Sequence, residues 1–200
     1  MGSATILILG LPIFVLVALL VKTTSPGPIF FVQERLGING SVFKLFKFRT
    51  MIENAEKMGT GLFSYEDDPR ITRVGNFLRN SSLDELPQLI NVFLGDMSLV
   101  GPRPAVTYEL GEYSELPARA KIRFRVKPGI TGLAQVSGRN DLNWDQKIKL
   151  DNRYIALRRK MGIFLDLKIL FQTVWIVLRR DNTIESHDNS PPSFLEKNDD

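Results

Sequence analysis

Apolar residues are concentrated in two long segments of this chain, one near each end. Residues 4–21 contain no charged side chain and have Pro12 near their middle, and residues 163–178 are apolar with scattered polar positions. At about 1.5 Å of rise per residue, each segment is long enough for several helical turns. The pattern therefore predicts one helix near the start of the chain and one near its end.

Between these segments the pattern changes from alternation to helical spacing. Two alternating stretches, residues 28–37 and 40–51, flank the turn "GING" and predict a β-hairpin. Further helices are predicted at residues 54–59, 76–79, 84–95 and 143–160. The Gly- and Pro-rich stretches 96–106 and 126–140 predict irregular loops. The predicted fold class is α+β and mainly helical, with one small hairpin.

The first apolar segment admits several interpretations. No basic residue precedes it and no small-residue cleavage site follows it, which argues against a cleaved signal peptide. A straight helix over residues 4–21 would reach about 27 Å, which is marginal for a bilayer core. Pro12 removes a helical hydrogen bond and favours a break. A spanning helix, a kinked helix that enters and leaves on one face, and a buried core helix all fit the sequence.

Composition excludes several kinds of site. The 200-residue chain is 44% hydrophobic and 24% charged, contains no cysteine, and has a single histidine, His187. A disulfide framework, a thiolate nucleophile and a cysteine-ligated metal are therefore excluded. The position of His187 in a polar tail disfavours a Ser-His triad or a His-ligated zinc site. Any metal would be a hard cation held by carboxylate and phosphate oxygens.

The net charge of +4 is unevenly distributed. Residues 185–200 contain five acids and one base, which gives −4, so the remaining chain carries +8. A basic body suits a polyanion, a nucleotide substrate or an anionic membrane surface. Residues 118–127 add five bases alternating with apolar residues, typical of an amphipathic strand, a solvated basic face or an interfacial segment. We expect no nucleic-acid partner, because no recognisable binding module accompanies this charge.

The stretch "SSLDELP", residues 81–87, places two acids just ahead of an apolar helix. Pro87 fits without cost only in the first turn of a helix, so we expect that helix to begin near Ser82 to Asp84. Ser82 and Glu85 then have the spacing of a capping box, which is the structural interpretation of the acids. In the chemical interpretation, the helix dipole keeps Asp84 ionised as a nucleophile, and both acids offer oxygens to Mg²⁺ on a diphosphate.

Arginines flank this stretch at positions suited to phosphate. Arg79 lies five residues before Asp84, Arg103 lies in the rigid turn "GPRP", and Arg139 follows "GITGLAQVSG". Guanidinium groups bind planar phosphate oxygens in a bidentate manner. Each arginine taken alone also fits a surface residue or one half of an ion pair.

Several long motifs show what this combination resembles. They are "SPGPIFFVQERLG", "FKLFKFRTM", "DPRITRVGNFLRNSSLDELPQLINVFLGDMSLVGPRP", "KPGITGLAQVSGR" and "FLDLKILFQTV", and they lie within residues 12–178. With these motifs the chain resembles the bacterial sugar transferase family, the monotopic phosphoglycosyl transferases. The resemblance favours the chemical interpretation of Asp84 and Glu85 over capping alone.

The resemblance implies an activity and a set of site residues. The family transfers a sugar 1-phosphate from a UDP-sugar to polyprenyl phosphate, releases UMP, and starts the assembly of exopolysaccharides and other glycoconjugates. It implies that Asp84 attacks the β-phosphorus to form an aspartyl-phosphosugar intermediate, with Mg²⁺ near Asp84 and Glu85. Glu85 is then a metal ligand or a proton acceptor. The substrate-binding residues that it implies are Arg79, Arg103, Arg49 and Arg139. Two other acids at family positions, Asp151 and Asp166, are interpreted as structural partners of arginines.

The resemblance also implies a place at the cytoplasmic face of the bacterial inner membrane. The family is anchored by a helix that a proline breaks, so that it enters and leaves one leaflet. We therefore predict a re-entrant anchor helix over residues 4–22 broken at Pro12, a catalytic domain over residues 23–180, and a polar, disordered tail over residues 181–200. Leu11 stands where the family usually has a serine, which is a departure at the anchor itself.

The expected partners follow from this location. They are a UDP-sugar, polyprenyl phosphate and anionic membrane lipids contacted by interfacial amphipathic helices, and exposed apolar helices would also permit a homodimer. The alternative function is a catalytically silent, membrane-associated scaffold for polysaccharide assembly. The intact Asp84–Glu85 pair argues against the scaffold.

Overall fold

The computed structural model describes residues 2–58, 65, 67–138, 142–179 and 192–195, with the backbone alone for residues 2–9. Within these residues the helices and strands follow in the order α1 (Gly2–Thr24), β1 (Phe30–Leu36), β2 (Val42–Phe48), α2 (Arg73–Asn80), α3 (Gln88–Leu94), β3 (Ser98–Val100), α4 (Ala118–Lys121), β4 (Gly129–Thr131), α5 (Leu133–Ser137), α6 (Trp144–Met161) and α7 (Ile163–Arg179). The predicted α+β, mainly helical fold class is confirmed.

The predicted hairpin is present. β1 and β2 pair antiparallel along their whole length, beginning with Phe30 opposite Phe48. The turn between them requires positive φ at Asn39 (53°) and Gly40 (77°). Asparagine and glycine adopt this left-handed conformation more readily than other residues do, so the "GING" signal identified the turn correctly.

α1 is one continuous helix, so Pro12 lies inside it rather than between two helices. A single proline removes one helical hydrogen bond and can bend a helix without ending it. The predicted break in the helix at Pro12 is therefore not seen in the secondary structure, and the re-entrant path stays a prediction. In the part of the chain that the structure describes, no helix has both the length and the apolar character needed to cross a membrane.

The second half of α1 packs against the hairpin and α2. Val17 and Val21 are buried together with Phe48 and Leu78, and the ring of Phe14 lies 4.9 Å from that of Phe48. The opposite side of the helix exposes Leu11, Ile13, Leu16 and Leu19. This helix is thus fixed to the body of the protein along one face and presents apolar side chains along the other.

The Gly- and Pro-rich segments contain more regular structure than the sequence predicted. β3 and β4 form a short parallel pair, with Ser98 opposite Gly129 and Val100 opposite Thr131, and α5 follows directly. The prediction of irregular loops is wrong here because three-residue strands are too short to show alternation. Glycine lets the two backbones lie close together here, because a Cβ on Gly129 would lie 2.0 Å from the backbone nitrogen of Gly101.

The basic segment 118–127 does not form a strand. α4 is followed by a 3₁₀ turn, Ile122–Arg125, and the residues that turn inward are Ala120, Arg123 and Phe124. Their spacing of three and one is that of a tight helical turn, not of a β-strand. The solvated-face interpretation is also wrong for Arg123, which is 3% exposed.

The two long C-terminal helices differ in what they bury. α6 begins with a capping box between Asn143 and Gln146, and it buries Ile148, Asp151, Tyr154 and Ile155. α7 is buried at Leu165 and Ile169. Its outer face exposes Ile163, Phe164, Leu167, Phe171, Val174, Trp175 and Leu178. α7 therefore carries a second apolar surface.

A short piece of the predicted disordered tail contacts the body. The backbone N–H of Ser193 donates to Asp145 Oδ2 at 3.0 Å, and Arg119 Nη2 donates to Ser193 Oγ at 3.0 Å. Residues 192–195 are thereby joined to α4 and α6. The rest of that tail, residues 181–191 and 196–200, lies outside the described residues, and there the prediction stays a prediction.

Candidate active site

A cavity of about 1670 Å³ opens between the hairpin, α2 and the loop that follows β3. Five of the predicted site residues line it: Asp84, Glu85, Arg79, Arg103 and, further along the wall, Arg49. Lys47 of β2 lines it as well. Apart from Arg49, the fold therefore gathers two acids and three cations at one cavity wall.

Asp84 and Glu85 lie in a separate 3₁₀ turn, Leu83–Glu85, ahead of α3. Ser82 has φ 55° and its side chain makes no capping hydrogen bond, so the predicted capping box is wrong. Pro87 occupies the position just before α3 and makes no capping hydrogen bond. Because proline has no N–H to continue the hydrogen bonds of the turn, the acids occupy their own turn and α3 begins later than predicted.

Asn91 of α3 fixes this acidic turn against the hairpin. Its buried amide nitrogen donates to the carbonyl of Lys44 at 2.7 Å, and its amide oxygen accepts from the backbone N–H of Phe46 at 3.1 Å. These bonds join α3 to the middle of β2. Lys47, one residue further along β2, consequently faces Glu85.

Glu85 is held between two cations. Its Oε1 accepts hydrogen bonds from Lys47 Nζ and from Arg103 Nη2, each at 2.9 Å. Burial opposes ionisation of Glu85, but Arg103 and Lys47 outweigh it and hold the pKa of that carboxyl well below its usual range. Glu85 is therefore a fixed negative charge at neutral pH.

Asp84 is affected in the opposite direction. It is 8% exposed, and burial raises its pKa to about 6, although Lys47, Arg79 and Arg103 act to lower it. The expectation that a helix dipole favours its ionised form is wrong, because the residue lies in a short turn where burial dominates. With a pKa near 6 the carboxylate is mostly ionised at neutral pH yet poorly solvated, which suits a nucleophile.

Arg79 is brought to the cavity by α2. A Cβ on Gly75 would lie 1.9 Å from the carbonyl oxygen of Thr50, so glycine lets α2 lie directly on the chain that leaves β2. Arg79 Nε then donates to Thr50 Oγ1 at 2.9 Å. Its positive charge lowers the pKa of Asp84, against the larger effect of burial.

Arg49 is engaged elsewhere. The residue is 6% exposed, and its guanidinium donates to the carbonyl of Pro26 at 2.6 Å, to the carbonyl of Ser25 at 2.8 Å and to Ser25 Oγ at 2.7 Å. Although Arg49 lines the cavity, this geometry supports a tether between β2 and the segment after α1 rather than a phosphate contact. Arg139, the fourth predicted substrate-binding residue, lies outside the described residues.

Lys47 is the site residue that the sequence analysis missed. Residues two apart along an extended chain point to the same side, and Lys47 lies two residues before Arg49, which was already a candidate and directly follows β2. The strand period was the available signal. It was not sufficient alone, because the partner of Lys47, Glu85, is 38 residues away in the sequence.

The interpretation of Asp151 and Asp166 as structural partners of arginines is confirmed. Asp151 lies 3.0 Å from buried Arg123, and Asp166 lies 2.7 Å from Arg158. Tyr154 adds a hydrogen bond from its hydroxyl to Asp166 at 2.9 Å. Burial raises the pKa of Asp151 to about 6 in spite of its arginine.

The chain is similar in sequence to known sugar transferases. The profile of a family described as bacterial sugar transferase matches residues 1–180. The chain is 43% identical to the exopolysaccharide production protein ExoY of Sinorhizobium fredii over 177 residues. These residues make up 82% of this chain and 76% of that protein. It is 46% identical over 180 residues to the UDP-glucose:undecaprenyl-phosphate glucose-1-phosphate transferase of Klebsiella pneumoniae, covering 86% of this chain and 37% of that protein.

A further relative is the UDP-galactose-lipid carrier transferase of Erwinia amylovora. It is 40% identical over 194 residues, which cover 90% of this chain and 39% of that protein. The chain thus spans less than half the length of the two transferases and about three quarters of the ExoY protein.

Proposed function

This chain belongs to the bacterial sugar transferase family, and we propose that it transfers a sugar 1-phosphate from a UDP-sugar to polyprenyl phosphate and releases UMP. The observation that carries the proposal is the buried Asp84 carboxylate in the cavity wall, beside a cluster that holds more cations than acids. Both proposed substrates are anionic, and such a cluster attracts them. Relatives named for UDP-glucose and UDP-galactose support this donor class.

In the proposed first step, a carboxylate oxygen of Asp84 attacks the β-phosphorus of the UDP-sugar. The new bond joins that oxygen to phosphorus, the bond from phosphorus to the bridging oxygen breaks, and UMP leaves with the electron pair. In the second step, a phosphate oxygen of the acceptor attacks the same phosphorus and frees Asp84. Covalent catalysis of this kind divides the transfer, so two anionic substrates need not be bound together.

The cations are proposed to bind the phosphates. Lys47 and Arg103 already meet on Glu85 Oε1, and Arg79 acts on Asp84 from the side of α2. Positive groups placed before the reaction stabilise charge that develops on the phosphoryl oxygens. Because its pKa is held low, Glu85 is a weak base. We therefore propose that it orients these cations, and not that it accepts a proton.

The donor set also fits Mg²⁺. This ion commonly takes one or two protein carboxylates and completes its shell with water and substrate phosphate. Asp84 and Glu85 would hold it, and when bound it would neutralise charge on the diphosphate.

We also propose that the protein acts at the cytoplasmic face of the inner membrane, where its lipid acceptor would lie. α1 would provide the re-entrant anchor bent at Pro12. α7 supports this placement, because Phe164 and Phe171 are 74% and 76% exposed and Trp175 is half exposed. Such a row suits an interfacial helix. Arg179 lies 4.6 Å from the ring centroid of Trp175 and would reach anionic head groups.

The test is an assay of UMP release by the purified chain in lipid nanodiscs, with undecaprenyl phosphate, Mg²⁺ and a panel of UDP-sugars. We expect UMP with at least one donor. With donor alone and rapid quenching, mass spectrometry should find one added sugar-phosphate mass on Asp84. No UMP across the panel would favour the scaffold alternative. UMP release with no adduct would keep the activity and reject the covalent step.

A further inference from the structure

The loop that carries Arg103 cannot hold itself in place. Pro102 and Pro104, on either side of Arg103, have no backbone N–H, so the loop has few donors for turns of its own. Its carbonyl groups must find donors elsewhere, because a buried carbonyl without a partner is costly. The residues that supply those donors therefore decide where Arg103 stands.

Four consecutive carbonyls of this loop accept hydrogen bonds from other parts of the fold. Backbone N–H groups serve the two outer carbonyls: Gly129 donates to Pro102 at 2.9 Å, and Leu36 donates to Ala105 at 2.9 Å. Arginine side chains serve the two inner ones. Arg123 Nη2 donates to the carbonyl of Arg103 at 2.6 Å, and Arg35 Nη1 donates to the carbonyl of Pro104 at 2.9 Å.

Arg123 is a buried arginine that connects this loop to α6. It pairs with Asp151 at 3.0 Å with both side chains 2% exposed, and its Nε and Nη1 are buried without a hydrogen-bond partner in the described chain. Buried ion pairs are often neutral or unfavourable for stability compared with apolar packing. The Arg123 guanidinium also lies 5.0 Å from the ring centroid of Trp144, so contacts with α6 fix its position as it donates to the loop.

Arg35 repeats the arrangement from the hairpin. Its Nη2 donates to Gln33 Oε1 at 2.5 Å, and its Nη1 lies 4.0 Å from Glu109 Oε2. Its own Nε is also buried without a partner in the described residues. The two arginines thus approach neighbouring carbonyls from different elements, β1 and the 3₁₀ turn after α4.

We propose that Arg35 and Arg123 are positioning residues that hold the Arg103 backbone so that its guanidinium is set for a substrate phosphate. The proposal rests on the proposed function. The side chain of Arg103 is 45% exposed and its Nη2 donates to Glu85 at 2.9 Å, so the position of its backbone sets where the guanidinium can reach. A displacement of about 1 Å in a substrate-binding group can cost on the order of a hundredfold in rate.

The test is a pair of double-mutant cycles, Arg123→Gln with Arg103→Gln and Arg35→Gln with Arg103→Gln. Each variant is measured for the KM and kcat of the UDP-sugar and for the Kd of UDP, which does not react. A positioning residue acts through Arg103, so its effect should vanish once Arg103 is gone. We expect each single variant to raise KM and Kd about tenfold with a smaller change in kcat, and to change them less than twofold in the Arg103→Gln background.

Arg123→Lys provides a second measurement, since a lysine can still donate one hydrogen bond to a carbonyl. It should recover part of the loss seen with Arg123→Gln. The matched control is Arg70→Gln, which removes another buried arginine that pairs with an aspartate and donates to two carbonyls, of Ala55 and Met58. Its effects on KM and Kd should be the same with and without Arg103.

The outcomes separate the two proposals. Equal losses in both backgrounds, with an active wild type, would overturn the positioning role and leave the proposed function standing. A wild type that neither releases UMP nor binds UDP would overturn both. If Arg123→Gln does not fold, the Arg35 cycle decides the question, because Arg35 is partly exposed and its removal leaves the Arg123–Asp151 pair intact.

Discussion

Asp84 and Asp68 are both buried aspartates in the wall of the same cavity, yet their pKa values are displaced in opposite directions. Asp68 is 4% exposed and meets Arg70 at 2.6 Å. Hydrogen bonds from that arginine outweigh burial and lower its pKa. Asp84 has three cations in its neighbourhood but burial prevails, and its pKa rises to about 6.

The difference lies in how the surrounding cations are used. Arg70 directs its guanidinium at Asp68 and at neighbouring carbonyls, so the pair is closed and offers nothing to an incoming anion. Around Asp84, Lys47 and Arg103 are directed at Glu85 instead. Asp84 is thus a buried carboxyl with a raised pKa beside cations that are directed at a neighbouring acid. This arrangement is why we propose Asp84, and not Asp68, as the reactive acid.

The largest effect should come from Asp84→Asn. The amide keeps the size of the side chain but cannot attack phosphorus, so we expect turnover to fall by at least about a thousandfold. UMP release and the mass-spectrometric adduct should be lost together. The thermal midpoint should not fall, because the substitution removes a carboxyl whose burial is unfavourable. Substantial remaining turnover would refute the nucleophile.

Asp68→Asn is the control that sharpens this comparison. It leaves Arg70 without its carboxylate, and breaking a buried pair typically costs about 3–5 kcal/mol of stability. Below its thermal midpoint, however, the variant should release UMP at close to the wild-type rate. The two substitutions would then have different effects, with Asp84→Asn lowering activity and Asp68→Asn lowering stability.

A smaller effect is expected from Lys47→Met. Charge-assisted hydrogen bonds contribute roughly 1.5–3 kcal/mol, so loss of the Lys47–Glu85 contact should lower kcat/KM by about ten- to a hundredfold. Lys44→Met is the matched control on the same strand, since the Lys44 side chain is exposed and lies on the other face. Equal losses in both variants would mean that general positive charge, and not this contact, is what matters.

The sequence predicted local structure better than it predicted which charged groups meet. Asn39-Gly40 identified the hairpin turn because backbone conformation there depends on the residues themselves. The motif around Asp84 and Glu85 identified the acids, and the resemblance supplied the role that we propose for them. The 3₁₀ turn was missed because Pro87 permits a helix to begin either before it or at it.

Arg49 and Arg103 show where sequence reasoning stops. Both are arginines in recognisable motifs, and both were predicted to bind phosphate. Only the fold distinguishes them: Arg49 meets carbonyls of Ser25 and Pro26, while Arg103 reaches Glu85. Lys47 was missed for the same reason, because its partner is set by tertiary contact and not by any local pattern.

The smallest effect concerns pH. With a pKa raised to about 6, Asp84 is ionised above that pH and protonated below it, and only the ionised form attacks phosphorus. The rate of the first half-reaction, measured as the burst of UMP without acceptor, should be level at pH 7–8 and fall at acidic pH. Because a Mg²⁺ ion on this carboxylate would favour its ionised form, the fall should begin below pH 6 when the metal is bound. Omitting the acceptor matters, because a phosphate monoester itself titrates near pH 6.

The free energy of unfolding should increase as the pH falls from 6 towards 4, whereas the rate of the UMP burst should decrease at acidic pH. The unfolded chain releases the Asp84 proton near its ordinary pKa, whereas the folded protein holds it up to about pH 6, so this group stabilises the fold as pH falls from 6 towards 4. Asp151, whose pKa is also raised to about 6, contributes with the same sign. In Asp151→Asn, the part of the stability change that Asp151 contributes should disappear, while the midpoint of the UMP burst should stay at its wild-type pH. If the midpoint of the UMP burst moved in Asp151→Asn, the loss of activity at acidic pH would be due to Asp151 and not to Asp84.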